Sequence, residues 1–411
     1  MSNSSIPFAL SSADEASWGD DSNVTFDERI PLLAPVDVSG LTQNKQPMGR
    51  AMQYTNQAEP HIRMPYEASF TTSMALTGHG STCAGAITIS DLGRLLGRCI
   101  GNNSVGQAGT TVAAAPTSAS QFGLNGGTVL SGGLIRVGAQ KDSRGGGQWA
   151  AVNNASTITL LTALAATPNE NDVVYASELI YPYEGASAGD DTMVSQRMQF
   201  QSLNQIYRAW GVFPQSLTIS LPIGGVGKID ITWGAAKAVP IGSAPTWPNA
   251  TAKDEFSAQP VGGGELWQND NGTTTRAIKA ISEFNLTIDL QVTPLMGQSG
   301  TDVYQNITGA VRTKCQASFN YVELAEASGT NTPYDAWNTD TGTAQHVLYG
   351  ASVGRDGASL GFYFPKVERV GAAPIMHVVD NVWRVRSHFL ASTSDLTTNA
   401  LTLANFVIGL G

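Results

Sequence analysis

Gly185-Ala186-Ser187-Ala188-Gly189 has the G-x-S-x-G spacing that in serine hydrolases lifts the central hydroxyl onto a sharp turn for attack on an acyl carbon. His346, His377 and His388 follow in the chain order a general base would need. The context fails, because Asp190-Asp191 and a strand-like segment follow where a helix must begin. With 44 glycines in the chain such a match arises from composition, and a flexible hairpin tip is the favoured reading. Gly78-His79-Gly80-Ser81-Thr82-Cys83-Ala84-Gly85 lies between a strand and a helix, as a dinucleotide loop would, but lacks the strict glycine spacing and a ribose-binding acid. Arg144-Gly145-Gly146-Gly147 has no Walker lysine. Gln268-Asn269-Asp270-Asn271-Gly272 hints at a calcium loop, yet Trp267 stands where the first carboxylate belongs. The histidines are scattered, and His388 alternates with Arg384 and Arg386 on one strand face. These residues predict no enzyme, no cofactor and no metal centre.

Composition points elsewhere. The 411 residues exceed the ~250–300 at which one hydrophobic core stops growing, so two domains are expected. Apolar residues make up 42%, but charged residues only 14%, against about 25% in ordinary soluble domains. So few surface charges suggest that much of the exterior is interface in the working state. The net charge of −10 argues against a phosphate-gripping protein, which needs clustered Lys and Arg. The first 21 residues lack a basic n-region, and no run of 18 apolar residues occurs, so neither a signal peptide nor a membrane span is expected. Cys83, Cys99 and Cys315 lack metal or redox spacing and read as buried free thiols.

Residues 1–60 are acidic, proline-containing and weakly periodic, and read as an extended arm. Phe26, Ile30, Leu32, Leu33 and Val36 give it something to dock with, on a neighbouring subunit. Residues 66–80 read as a strand closed by glycines. Leu92, Leu95, Leu96, Cys99 and Ile100 then define a short amphipathic helix, with Thr88 or Ser90 as cap and Gly101 as its end. Residues 103–127, rich in Gly, Ala, Ser and Thr, read as a long loop.

Strand-like runs follow. Leu217, Ile219, Leu221 and Ile223 alternate with small polar residues up to Gly224-Gly225-Val226-Gly227, after which Ile229, Ile231 and Trp233 resume the pattern as a hairpin. Residues 239–275 carry four prolines and no periodicity and read as a linker. In 280–295, Phe284, Leu286, Ile288, Leu290 and Val292 alternate with Asn285, Thr287, Asp289 and Gln291, giving one core face and one polar, weakly charged face. A short helix is expected to start at Thr332-Pro333, followed by strands in 359–370 and 381–392. The domains expected are thus 61–238 and 276–411, with a similar element order that suggests a diverged duplication.

Over roughly residues 60–411 the chain resembles the major tail tube protein of long-tailed, non-contractile (siphovirus) bacteriophages. The resemblance lies in FTTSMALTGHG, DLGRLLGRCIG, NQIYRAWGVFPQSLTISLPIGGVGKIDITWGAA, ISEFNLTIDLQVTPL, ITGAVRTKCQASFNYVEL, SLGFYFPKVERV and VWRVRSHFLAS, taken in order. It implies a mainly β fold: tandem tail-tube β-sandwich or barrel domains, each with a short flanking α-helix. Copies would join edge to edge into a ring with an inner β-barrel, as a trimer with pseudo-sixfold symmetry or a hexamer, and the rings would stack into a tube.

On that resemblance the polar face of Asn285, Thr287, Asp289 and Gln291 would line the lumen, its acids keeping phage DNA from sticking during ejection into the host. The arm residues Phe26, Ile30, Leu32 and Leu33, with Met198, Phe200, Tyr207 and Trp210, would bridge successive rings. Implied partners are other copies of the chain, the tape measure, tail terminator and distal tail proteins, and DNA passing without specific binding, with no membrane. The implied place is the virion tail, assembled in the bacterial cytoplasm. A phage capsid or decoration protein is the alternative. A carbohydrate-binding sandwich using Trp149, Trp247 or Trp267 ranks below it.

Overall fold

In a computed structural model the chain is mainly β, with one short helix among the described residues. Described are residues 9–16, 18–19, 26, 28–41, 45–47, 61–63, 68–75, 89–105, 110–126, 134–137, 150–154, 158–160, 164, 166–176, 178–182, 195–202, 205–242, 264–270, 274–278, 281–298, 305–324, 347–352, 359–364, 366–370, 375–379, 382–392 and 404–410.

The largest sheet has eleven strands. They are β1 (Ala9–Asp14), β2 (Glu28–Pro31), β3 (Ala68–Ala75), β4 (Gln196–Ser202), β5 (Gln205–Pro222), β6 (Lys228–Ile241), β7 (Ile281–Gln298), β8 (Gln305–Leu324), β9 (Lys366–Arg369), β10 (Ile375–Val379) and β11 (Val382–Ser392). Two long antiparallel hairpins, β5–β6 and β7–β8, form its middle. They join where Ser216–Pro222 pairs with Glu283–Asp289. The first half of β5 turns the same edge to β4 instead, and the change of partner coincides with a bulge between Pro214 and Ser216. Proline has no N–H to give to a ladder, so a bulge is where a strand tolerates it. The turn of β5–β6 closes on Gly224, whose φ of +76° suits glycine.

A seven-stranded sheet covers the apolar side. Its order is 274–278, 264–270, 347–352, 359–364, 407–410, 178–182, 101–105. The core between the layers holds Phe70, Phe200, Leu217, Ile219, Phe284, Leu286, Phe319 and Phe389 from one sheet and Ile180, Phe362, Phe364 and Ile408 from the other. Phe319 stacks on Phe284, Phe364 and Phe389 at 5.8, 4.3 and 5.0 Å between ring centroids. The helix α1 (Asp91–Ile100) adds Leu92, Leu95, Leu96, Cys99 and Ile100 to the same core, the stripe expected from its spacing. The Ser90 hydroxyl accepts the Gly93 N–H at its start, and Gly101 ends it.

Several expectations are corrected. Both sheets draw strands from either side of 239–275 and share one core, so that stretch does not divide two separate units. Part of it, 264–270 and 274–275, is strand. The strand 281–298 lies inside the sheet, with β8 paired along its length and β5 along 283–289. Residues 103–127 are not a plain loop: strands form at 110–111 and 121–122, and Val112 and Phe122 are buried there. The N-terminal arm is part of the fold. β1 pairs with β4 and with β2, and 32–41 lies along β3 through bridges at Leu32–Met74 and Asp37–Thr71. Leu10, Ile30, Leu32 and Val36 belong to the main core, so removing residues 1–50 would unroof it and expose β4. The second short helix expected near Thr332 lies outside the described residues.

Replacing Phe319 by Ala is expected to cost about 3–5 kcal/mol in denaturant unfolding, since it removes a ring packed on three others. Thr287→Ala, on the exposed side of the adjacent strand, should change stability by less than about 0.5 kcal/mol.

Candidate functional site

Period-two alternation puts the small polar residues of neighbouring strands side by side on the outer face of the eleven-stranded sheet. One cross-strand row runs His388, Asn320, Asn285, Ser220, Lys228, and the next runs Ser318, Thr287, Thr218, Asp230, Ser73. A third runs Gln316, Asp289, Ser216, Thr232, Thr71 and reaches Asp37 of the arm. Asn285, Thr287, Asp289 and Gln291 therefore share one solvent-facing surface, as expected from the sequence, while Phe284, Leu286, Ile288 and Leu290 are fully buried beneath.

The charge on this face is compensated. Lys228 lies 2.8 Å from Asp230, Lys314 3.0 Å from Asp289, and Arg386 3.1 Å from Glu283. Each pair is half exposed and contributes at most about 1 kcal/mol. Its larger effect is to cancel sign, so the face around Asp289 is polar and near neutral. Asp37 adds one carboxylate, held below its usual range by the Ser39 backbone N–H.

The residues expected to bridge rings sit otherwise. Ile30, Leu32, Met198 and Phe200 are inside the chain's own core, and Phe200 stacks on Tyr207 at 5.7 Å. Trp210 is 8% exposed and lies under Lys237, while Phe26 is half-buried. Of the eight, Leu33 keeps the most open surface, at 39%.

A group that the sequence reading missed fastens the arm. Glu28, with no side-chain exposure, meets Arg98 at 2.5 Å and Arg94 at 3.4 Å and accepts the Ser12 hydroxyl at 2.7 Å; Arg98 also reaches Asp14 at 2.6 Å. Arg94 and Arg98 are one helical turn apart on the polar side of α1, facing an acidic arm, and that was the available signal. Burial pushes the Glu28 carboxyl above its usual range despite both guanidinium groups. At Arg98 burial opposes the charge, but Glu28 and Asp14 outweigh it and hold the guanidinium above its usual range. Glu15 is a second buried carboxylate. It accepts N–H bonds from Gly19 and Gly211 at 2.7 and 2.9 Å and the Ser195 hydroxyl, and burial raises its carboxyl too. Gly211, at φ +59°, turns its N–H toward Glu15, and a Cβ there would meet that of Ala236 at 2.7 Å.

Gly185–Gly189, Gly78–Gly85, Arg144–Gly147, His346, Trp149 and Trp247 lie outside the described residues, and 268–270 is strand, not a calcium loop. Among the described residues no three His, Cys, Asp or Glu side chains converge as a metal would require, and no helix is long and apolar enough to cross a membrane. Cys99 and Cys315 are free thiols, the first buried and the second half-buried.

Arg98→Met should cost about 3–5 kcal/mol, because it strands the Glu28 charge in the core, and hydrogen exchange should show the loss first in 9–14 and 28–31. The pH dependence has a defined sign. A carboxyl raised by folding stabilises the folded state below its unfolded pKa, and that contribution disappears as pH rises through the folded value. Wild type should therefore gain stability relative to Glu28→Gln as pH falls from 7 toward 4.5 in paired denaturant titrations; a relative loss on acidification would contradict this. Compared with known proteins, the chain matches no family model, and no curated protein matches it.

Proposed function

We propose that the chain is a structural protein whose copies join sheet beside sheet into rings, and that these rings stack as the tube of a long, non-contractile phage tail. The observation that carries this reading is the polar face: six neighbouring strands, the four of the two long hairpins flanked by β3 and β11, present hydroxyls, amides and cancelled charges side by side. A wall of that kind suits the lumen of a conduit. It wets readily, and with no net positive charge it gives DNA phosphates nothing to grip. In this reading Asn285, Thr287, Asp289 and Gln291 line the passage, and two long hairpins per chain allow three chains to supply a six-hairpin inner barrel.

Ring closure needs strand edges. Among the described residues, β8 is paired on its far side only by β11 along Ser318–Leu324, which leaves the segment from Asn306 to Lys314 without a strand partner on that edge. A long, open edge is a template for another chain, and pairing it within a ring removes the hazard. The low overall charge fits a protein most of whose exterior is covered in use. Tape measure, tail terminator and distal tail proteins would be its neighbours in the virion.

Electron microscopy of the concentrated, purified protein tests the reading. Hollow rods or stacked rings are the expected result. Closed shells would favour a capsid or decoration role, and a monodisperse single chain at every concentration would overturn both.

A further inference from the structure

Strand 101–105 pairs antiparallel with 178–182, and Val105 stands directly opposite Glu178. Everything between them occupies the place of a hairpin turn. Among the described residues, six short strands of that stretch pair in the order 110–111, 173–176, 134–137, 150–154, 158–160, 121–122, and none of them pairs with a strand outside it. A bridge from Val112 to Leu124, with the Ala113 N–H on Gly123 O and the Asn125 N–H on Thr111 O, ties the strand at one end of this order to the segment following the strand at the other.

The apolar side chains follow the same division. Val112, Phe122, Ile135, Ile158 and Val174 form their own core with Val137 and Leu164, separate from the one between the two large sheets. Chain path, strand pairing and core thus draw one boundary independently.

We infer that residues 106–177 are an autonomous module grafted into a hairpin, dispensable for the fold of the two large sheets and for the surface that copies of the chain use to assemble. Its two attachment strands lie at the edge of the sheet that covers the apolar side, so the module is carried by the layer away from the polar face. On the ring reading, on which this last point rests, that layer is the outer one. The module is then an exterior appendage whose contacts are independent of tube formation. Its small core makes it the less stable of the two parts, the one that opens first.

Hydrogen exchange on the full chain decides the first claim. In Val174→Asp a buried carboxylate replaces a module core residue that is 1% exposed. Protection should fall across 110–176 and stay at the wild-type level in 205–222 and 281–298; loss throughout the long hairpins would overturn the inference. A second variant joins Val105 to Glu178 through Asn-Gly, a two-residue hairpin turn. It should keep the parent's exchange pattern in the long hairpins and form whatever assemblies the parent forms, side by side under the microscope. A shortened chain that folds but loses those assemblies would refute dispensability. If the parent itself makes no rods, the tube reading fails while the exchange result still decides whether the module is separate.

Discussion

The seam between Ser216–Pro222 and Glu283–Asp289 sets the face of every residue around it. Because side chains alternate with a period of two, slipping one hairpin past the other by a single residue would send Phe284, Leu286 and Ile288 into water and bring Asn285, Thr287 and Asp289 into the core. The contact of Phe284 with Phe362 of the covering sheet, 5.2 Å between ring centroids, opposes any such slip from below. With the register fixed, the outer face has no choice but to be polar and continuous, and the covering sheet and α1 have no choice but to sit on the other side.

The arm is held by a different kind of interaction. Backbone pairing of β1 with β4 gives it direction, and the buried Glu28 with Arg94, Arg98 and Ser12 ties it to α1. Buried ion pairs are weak sources of net stability but strong sources of specificity of placement, since every alternative leaves a charge without its partner. Glu178 plays a similar part at the other end of the helix. It accepts both the N–H and the hydroxyl of the cap residue Ser90, and it sits so close that a Cβ on Gly93 would overlap it. The glycine that lowers helix propensity in α1 is there for packing.

Local pattern was readable where local pattern decided the outcome. The helix, the Gly224 turn and the alternation through 284–290 follow from spacing and turn chemistry, whereas the choice of Ser90 over Thr88 as the cap does not. What was not readable depends on contacts between distant segments. Nothing in residues 9–31 says that they will complete the edge of a strand nearly two hundred positions later, and nothing in 407–410 says that it will lie between strands from both halves of the chain. The small-residue stretch around 110–126 hid two very short strands, because Gly, Ala, Ser and Thr carry little periodic signal even where Val112 and Phe122 are fully buried. The pairing of Asp289 with Lys314 was not readable because the two residues lie on neighbouring strands.

The central claim is that the polar face of the two joined hairpins becomes an inner wall when copies assemble. A cysteine placed at Thr287, challenged with a bulky thiol-reactive polymer and read against the background of the native thiols, tests it most directly. The account predicts rapid labelling of the free chain and protection once rods have formed, with a small thiol reagent still able to enter. Equal labelling of free chain and assembled rods by the bulky reagent would put that face on the outside and contradict it.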